Sequence, residues 1–393
     1  MTGSERSELA CGLSSLSVFR GLLAKKELSA LLAFLKCEGD SREKMELYGE
    51  FVFSLADSGY CFSDFLRKAV CEDENFYVKC SASHKPIPRS AAENAAAELR
   101  LFTRLTALSA EDLCSSVGSP GYVPKFENSA TDFEKLYAER LSQIGRFGYG
   151  IFASSAMFRV QDGNIVPVAS ADKTSPEDFI GYDEERRRVM ENTKALADGR
   201  PAANVLLCGD AGTGKSSTVK ACANYFFDSG VRLIELRKDQ LFSLPAVMDH
   251  ISGNPLKFIV FIDDLSFNKN DDCFGMLKAA LEGSASAKAE NAVIYATSNR
   301  RHIIKESFSE REGDDIHRSD TVQELMSLSD RFGLTVYFSK PGKALYLEIV
   351  HGLARRNGIT KDPSALDIEA EAFALRRGSR SPRTAEQFVM SLM

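Results

Sequence analysis

The chain has 393 residues, a length that suits two or three domains, and its 26% charged and 44% apolar residues are those of a globular protein with full cores. A net charge of −6 argues against a polyanion binder as a whole and leaves room only for a local basic surface. No apolar run reaches the ~18 residues of a membrane span, and the start MTGSERSELACGL lacks the basic-then-apolar pattern of a secretory leader.

Apolar positions three and four apart predict helices from Val18 to Leu35, Lys44 to Leu55, Phe62 to Val70, Ala91 to Leu108 and Phe133 to Ile144. Breakers such as Gly39-Asp40, Pro86-Ile87-Pro88 and Gly118-Ser119-Pro120-Gly121 separate them. Residues 1–148 therefore read as an α-helical accessory domain, without basic excess and without a motif that assigns it a role. Asp162-Gly163, between two β-prone runs from Tyr149 to Val168, predicts a hairpin, a connector spanning residues 149–170. Ser175-Pro176-Glu177-Asp178 starts a turn or helix, and Asp183 to Leu196 is a charged helix.

Short apolar runs then alternate with helical ones. Strands are predicted from Val205 to Cys208, Val231 to Leu236, Lys257 to Asp264, Ala292 to Asn299 and Leu334 to Phe338. Helices are predicted from Ser217 to Tyr225, Asp239 to Ile251, Cys273 to Leu281 and Thr321 to Ser327, with a polar surface loop from Lys305 to Arg318. This alternation predicts an α/β core over residues 171–341, a doubly wound parallel sheet with its ligand at the carboxyl edge. Residues 342–393 are helical throughout and read as a small lid. Nine cysteines, an odd number without a C-x-x-C pair, read as reduced thiols of a cytoplasmic protein. The five histidines show no metal-ligand spacing.

The core is organised around NVLLCGDAGTGKSSTVK, Asn204 to Lys220. The apolar run Val205-Leu206-Leu207-Cys208 is a strand buried on both faces, in which Cys208 is a small core residue rather than a redox switch. Gly209, Asp210, Ala211, Gly212, Thr213, Gly214, Lys215 and Ser216 then fit G-x-x-x-x-G-K-[ST], and Ser217 opens the following helix. The glycines free the backbone to aim N–H groups at phosphate oxygens, and the helix start adds the positive end of its dipole. Lys215, expected to be exposed, would reach the β- and γ-phosphates, and the Ser216 hydroxyl would ligate Mg²⁺. Such a loop predicts binding of a nucleoside triphosphate.

Asp263 ends the apolar strand KFIVFIDD and would hold Mg²⁺ through water. Asp264 could polarise the attacking water, although strand alternation points its side chain the opposite way. Asn299 ends the neighbouring strand and could position water, as could Thr297 or Ser298. Arg331, in SLSDRFGL before the fifth strand, carries a guanidinium suited to phosphoryl charge.

In this order the features resemble an AAA+ ATPase, a P-loop NTPase core with a helical lid. FIGYDEERRRVMENT, NVLLCGDAGTGKSS, FIDDLSF, YATSNRRHII, SLSDRFGL and GSRSPRTAEQF resemble, more narrowly, a bacterial AAA+ family known as domain of unknown function 815, over about residues 165–393. The resemblance implies that Asn299 is sensor 1 and that Arg331 is an arginine finger acting on a neighbouring subunit's nucleotide. It implies that Arg383 is sensor 2, with Arg380 as the fallback, and that Phe179, Ile180 and Gly181 flank the adenine. Two positions depart from the usual pattern. Asp264 stands where most AAA+ machines have Glu, and Asp210-Ala211 stand where relatives often carry a basic residue.

The function so implied is Mg²⁺-dependent binding of ATP and its hydrolysis to ADP in a homo-oligomer, a ring or open assembly, that remodels a macromolecular client. Two other readings stay open. One is a DNA-associated ATPase like a helicase loader or transposition helper, and the other is a slow-hydrolysing nucleotide switch or adaptor acting through the N-terminal domain. Leu236 to Pro255 holds no aromatic–hydrophobic–glycine pore loop, which argues against a threading unfoldase.

Overall fold

Leucines and phenylalanines at helical spacing build the first of two units, Met1–Ser154. The computed structural model describes residues 2–115, 122–170, 172–265, 273–282, 290–299 and 331–393. The first unit contains α1 (Gly3–Ser14), α2 (Lys26–Lys36), α3 (Ser41–Ser54), α4 (Phe62–Glu72), α5 (Phe76–Ala82), α6 (Arg89–Thr106), α7 (Ala110–Cys114), α8 (Phe133–Ser142) and α9 (Ile144–Phe147). Leu13, Phe19, Phe34, Phe51, Phe62, Phe102 and Phe133 form its centre. Phe19 meets Phe102, and Phe51 meets Phe62, edge to face at 5.5 Å between centroids.

The helix expected from Val18 to Leu35 is divided. Ser17 to Phe19 lead into a 3₁₀ turn at Arg20–Ala24, and α2 starts only after extended Lys25. The cause is Glu98 on α6. Its carboxylate accepts from the Ser17 amide (2.7 Å) and hydroxyl (2.8 Å), the Val18 amide (3.1 Å) and the Phe19 amide (2.9 Å), so these residues bond to a side chain and not to a helix. The unexpected α1 and α7 both begin with reciprocal caps, Thr2 with Glu5 and Ser109 with Asp112, a four-residue pattern that is visible in sequence.

The second unit, Ser155–Met393, is an α/β sheet with helices. Its strands are β1 (Met157–Gln161), β2 (Asn164–Pro167), β3 (Val205–Gly209), β4 (Val231–Leu236), β5 (Lys257–Ile262), β6 (Ala292–Ser298) and β7 (Leu334–Phe338). They lie in the order β2-β1-β4-β5-β6-β3-β7, parallel throughout except for β2. The helices are α10 (Asp183–Ala197), α11 (Lys215–Tyr225), α12 (Leu244–Ser252) and α13 (Cys273–Glu282), followed by α14 (Lys343–Arg356), α15 (Pro363–Arg377) and α16 (Pro382–Met390). This is the expected α/β core, a largely parallel sheet with helices, together with a helical C-terminal bundle and a helical N-terminal region. Among the described residues, no helix is long and apolar enough to cross a membrane.

The hairpin is part of the sheet. Asp162 and Gly163 both have positive φ, 50° and 78°, the twist that a two-residue turn needs, and β1 pairs parallel with β4. Its strands are shorter than the β-prone runs, because Gly148 and Gly150 turn the chain at φ 68° and 61° and Gly150–Ala153 is a 3₁₀ turn. Pro245 likewise shortens the helix expected from Asp239. A proline belongs in a first helical turn, so α12 begins at Leu244 after a 3₁₀ turn. The expectations for Thr321 to Ser327 and Lys305 to Arg318 lie outside the described residues.

Glu98 is the polar linchpin of the first unit's core and is only 8% exposed. Glu98→Ala strands three main-chain amides and should cost about 3 kcal/mol. Urea unfolding monitored on the full chain should show that loss, and Glu98→Gln should retain more stability than Glu98→Ala.

Candidate functional site

Parallel pairing sets the carboxyl ends of β3, β5 and β6 side by side, with Cys208 in register with Ser298 and Ile262 with Ala296. β3 runs into Gly209, whose φ of 142° suits glycine alone. A Cβ there would stand 2.0 Å from the Phe338 carbonyl oxygen at the end of β7. Gly214, at φ 90°, is the N-cap of α11, and the first-turn amides of Lys215 and Ser216 have no partner within their own helix.

Lys215 is buried, only 5% exposed, contrary to expectation. The loop curls around its ammonium, and Nζ donates to the carbonyls of Gly209 (2.9 Å) and Asp210 (2.8 Å) and to Asn299 Oδ1 (3.0 Å). All three donors are used. Burial pushes the lysine pKa down, opposed chiefly by the nearby Asp210 carboxylate.

Ser216 Oγ donates to Asp263 Oδ1 at 2.6 Å, and Thr297 Oγ1 donates to the same oxygen at 2.5 Å. A hydroxyl beside a carboxylate is a hard oxygen pair of the kind Mg²⁺ takes, together with waters and phosphate oxygens, so these residues fit the ion. Among the described residues there is no cluster of three or more His, Cys, Asp or Glu suited to a metal.

The expected outward aim of Asp264 is corrected. β5 stops at Ile262 and Asp264 has φ 51°, so strand alternation no longer governs its side chain. Its Oδ1 accepts from Asn299 Nδ2 at 2.6 Å, and its amide donates to Thr297 Oγ1 at 2.9 Å. Asn299 therefore bridges Lys215 and Asp264. Of its two polar neighbours, Thr297 shares the cavity described next, whereas Ser298 Oγ is buried without a partner.

A cavity of about 590 Å³ opens at this sheet edge. Ala211 to Ser217, Asp263, Asp264 and Asn299 line one side. Phe179 and Ile180 face it with Ile349 and Leu353 of α14, an apolar wall opposite the charged one. Gly181 is set back from this wall, since a Cβ there would meet Leu345 of α14 at 2.6 Å. Gly209 and Asp210 also stay off the lining. Their carbonyls serve Lys215, and the Asp210 carboxylate accepts from the Lys340 amide at 3.1 Å.

The bundle closes the remaining side. Arg383, at the start of α16, lines the cavity, and its amide donates to the Gly212 carbonyl at 3.3 Å. Arg380 instead forms a two-pronged pair with Glu371 at 2.9 and 2.6 Å. Arg331 is half-buried just ahead of β7 and does not line the cavity. Cys208 is a core residue whose thiol burial pushes up to about 11, so it is protonated at neutral pH.

Two arginines of the lining were not expected from sequence. Arg356 of α14 donates to the carbonyls of Asp178 (2.7 Å) and Glu177 (3.1 Å). Arg186 of α10 is buried beside Phe179. A signal existed for Arg186, because it falls on the stripe Arg186, Val189, Thr193 and Leu196 that α10 buries. Arg356 has no comparable signal, as it sits among other basic residues at the end of α14.

Residues 153–393 match the profile of the family described as Protein of unknown function (DUF815). No curated protein matches the chain. Solved structures similar to it include the Holliday junction branch migration motor RuvB of Thermotoga maritima, 16% identical with a TM-score of 0.38 over 56% of this chain and 64% of that one. A variant of the same RuvB is 15% identical with a TM-score of 0.39 over 56% and 65%. The chain thus spans less than two thirds of those structures' length.

The Gly209 approach to β7 is directly testable. Gly209→Ala should cost about 2–4 kcal/mol, from backbone strain and the clash with Phe338. Gly253→Ala, which meets nothing within 4 Å, is the control. Chemical denaturation should separate the two midpoints clearly.

Proposed function

The chain belongs to the family described as Protein of unknown function (DUF815), and from that premise we propose that it is an AAA+ ATPase. In this reading it binds ATP with Mg²⁺, hydrolyses it to ADP in a homo-oligomer and uses the cycle to remodel a macromolecular client. The observation that carries the proposal is the meeting of Lys215, Ser216, Asp263, Asp264 and Asn299 in one cavity from three adjacent strand ends.

Each residue then has a task. The Lys215 ammonium exchanges carbonyls of its own loop for phosphate oxygens, and the α11 amides bind the same chain of phosphates. Ser216 and Asp263 hold Mg²⁺, which neutralises phosphate charge when bound. Asp264 orients the attacking water and accepts its proton, with Asn299 reporting the presence of the terminal phosphate. Arg383 meets phosphate charge from the bundle side. Phe179 and Ile180 flank the adenine, while Gly181 supports them from behind. Arg331 stands outside its own chain's cavity, which supports a role at a neighbour's site. The division into 1–148, 149–170, 171–341 and 342–393 then reads as helical accessory domain, a hairpin connector that also edges the core's sheet, motor core and lid.

The 2.6 Å bond from Asn299 to Asp264 favours a second reading, a slow nucleotide switch. While that bond holds, the carboxylate is engaged and water activation waits on its release.

Lys215→Met should weaken ATP binding by about 30–100-fold, as expected for losing charge-assisted bonds. Because Lys215 is buried, it should also lower ligand-free stability by about 1–3 kcal/mol. Titration with fluorescent nucleotide and a melting curve read the two effects separately. Unchanged affinity would remove the phosphate-loop assignment.

Arg331→Ala should bind ATP normally and hydrolyse it about 10³–10⁵-fold more slowly. Asp264→Asn should also bind and turn over poorly. Mixed together, the two inactive variants should regain activity, because one subunit supplies the arginine and its neighbour the carboxylate. No recovery at any ratio, with turnover independent of protein concentration in the unaltered chain, would favour the switch.

A further inference from the structure

Arg186 is a buried cation with no carboxylate paired to it among the described residues. It projects from the first turns of α10, is 8% exposed and lines the cavity. Its Nη1 donates to the Gly181 carbonyl, and its planar head lies 4.2 Å from the Phe179 ring centroid. Nη2 stands 3.5 Å from where a Cβ on Gly214 would be, and Nε is buried without a partner. Burial lowers its pKa to about 10, which leaves it charged at neutral pH.

Such a group is costly unless something completes it. The other buried cation of the cavity, Lys215, has three acceptors, and Arg356 has two carbonyls. Arg186 has one. Its Nη2 faces the last glycine of the phosphate loop, while its Cζ lies over the Phe179 ring of the apolar wall. It therefore stands where charged and apolar sides of the cavity meet. A nucleotide lying with its base on Phe179 and Ile180 and its terminal phosphate near Lys215, Asp263 and Asn299 passes this point at the phosphate nearest the nucleoside.

We infer that Arg186 is a phosphate-binding residue for the α-phosphate of a purine nucleotide, packed against the Phe179 ring. This rests on the nucleotide reading above and adds to it a cation that does not sense the γ-phosphate. Arg186 therefore contributes equally to ATP and ADP, and keeps ADP bound after hydrolysis.

The test is a titration of the full chain with ATP and ADP, and with adenosine as competitor, for Arg186→Gln and Arg186→Lys. Both nucleotide affinities should fall by the same factor, about tenfold or more for Arg186→Gln and less for Arg186→Lys. Competition by adenosine should be unchanged, and ligand-free melting should be unchanged or higher, because an unpaired buried charge is removed. A loss confined to ATP, an equal loss for adenosine, or no loss at all would overturn the inference. Loss of the folding transition in both variants would make Arg186 structural and would overturn it too. Failure of the unaltered chain to bind any nucleotide would instead overturn the underlying reading.

Discussion

The close approach of Gly209 to Phe338 is the constraint on which the rest of the site depends. β3 is clamped between β6 and β7, and its last residue can pass β7 only without a side chain. That fixes the direction in which the chain leaves the sheet. Two further bonds hold the same corner: the Lys340 amide to Asp210, and the Tyr182 hydroxyl to the Ser339 carbonyl at 2.6 Å. The loop is thereby referenced to the strand that follows Arg331, and also to the start of α10, which carries Arg186.

From that corner the charges form a continuous line. Lys215 is already stripped of water, and its ammonium is held by two carbonyls and an amide oxygen. The amide's other end holds Asp264. A cation in low-dielectric surroundings attracts an anion far more strongly than one in water. Any anion arriving there competes only with neutral acceptors, and Lys215 is tied through Asn299 to Asp264. The polar side chains form a chain because each has few alternative partners.

Much of this was legible in sequence, for identifiable reasons. Strands β3 to β7 are apolar runs between breakers, and a loop with glycine at three positions followed by Lys-Ser has few other uses. Asp263 and Asn299 could be placed because parallel strands must end at one edge. What escaped depends on tertiary partners. Glu98 divides a helical pattern by bonding to residues ~80 positions away, which no local periodicity records. Asp264 leaves the strand's alternation because its backbone turns left-handed. Lys215 looked exposed because a motif gives the order of residues and not the wrapping of the loop around one of them. Arg356 reaches carbonyls nearly 180 positions away, and Arg186 reads as one more charge in a charged helix until its neighbours on the buried stripe are compared.

The hairpin at the sheet's far edge governs what the protein avoids. β2 has four residues, and Val168 points its amide inward to the Met157 carbonyl. By alternation, Ile165 and Pro167 present their backbones outward, and proline has no N–H. The outer rim of the sheet therefore offers a single amide from β2 to any strand of another chain. A nascent or partly unfolded molecule finds almost no ladder to extend there, so the large apolar sheet is shielded from fibre-like stacking along that rim by the choice of one imino acid.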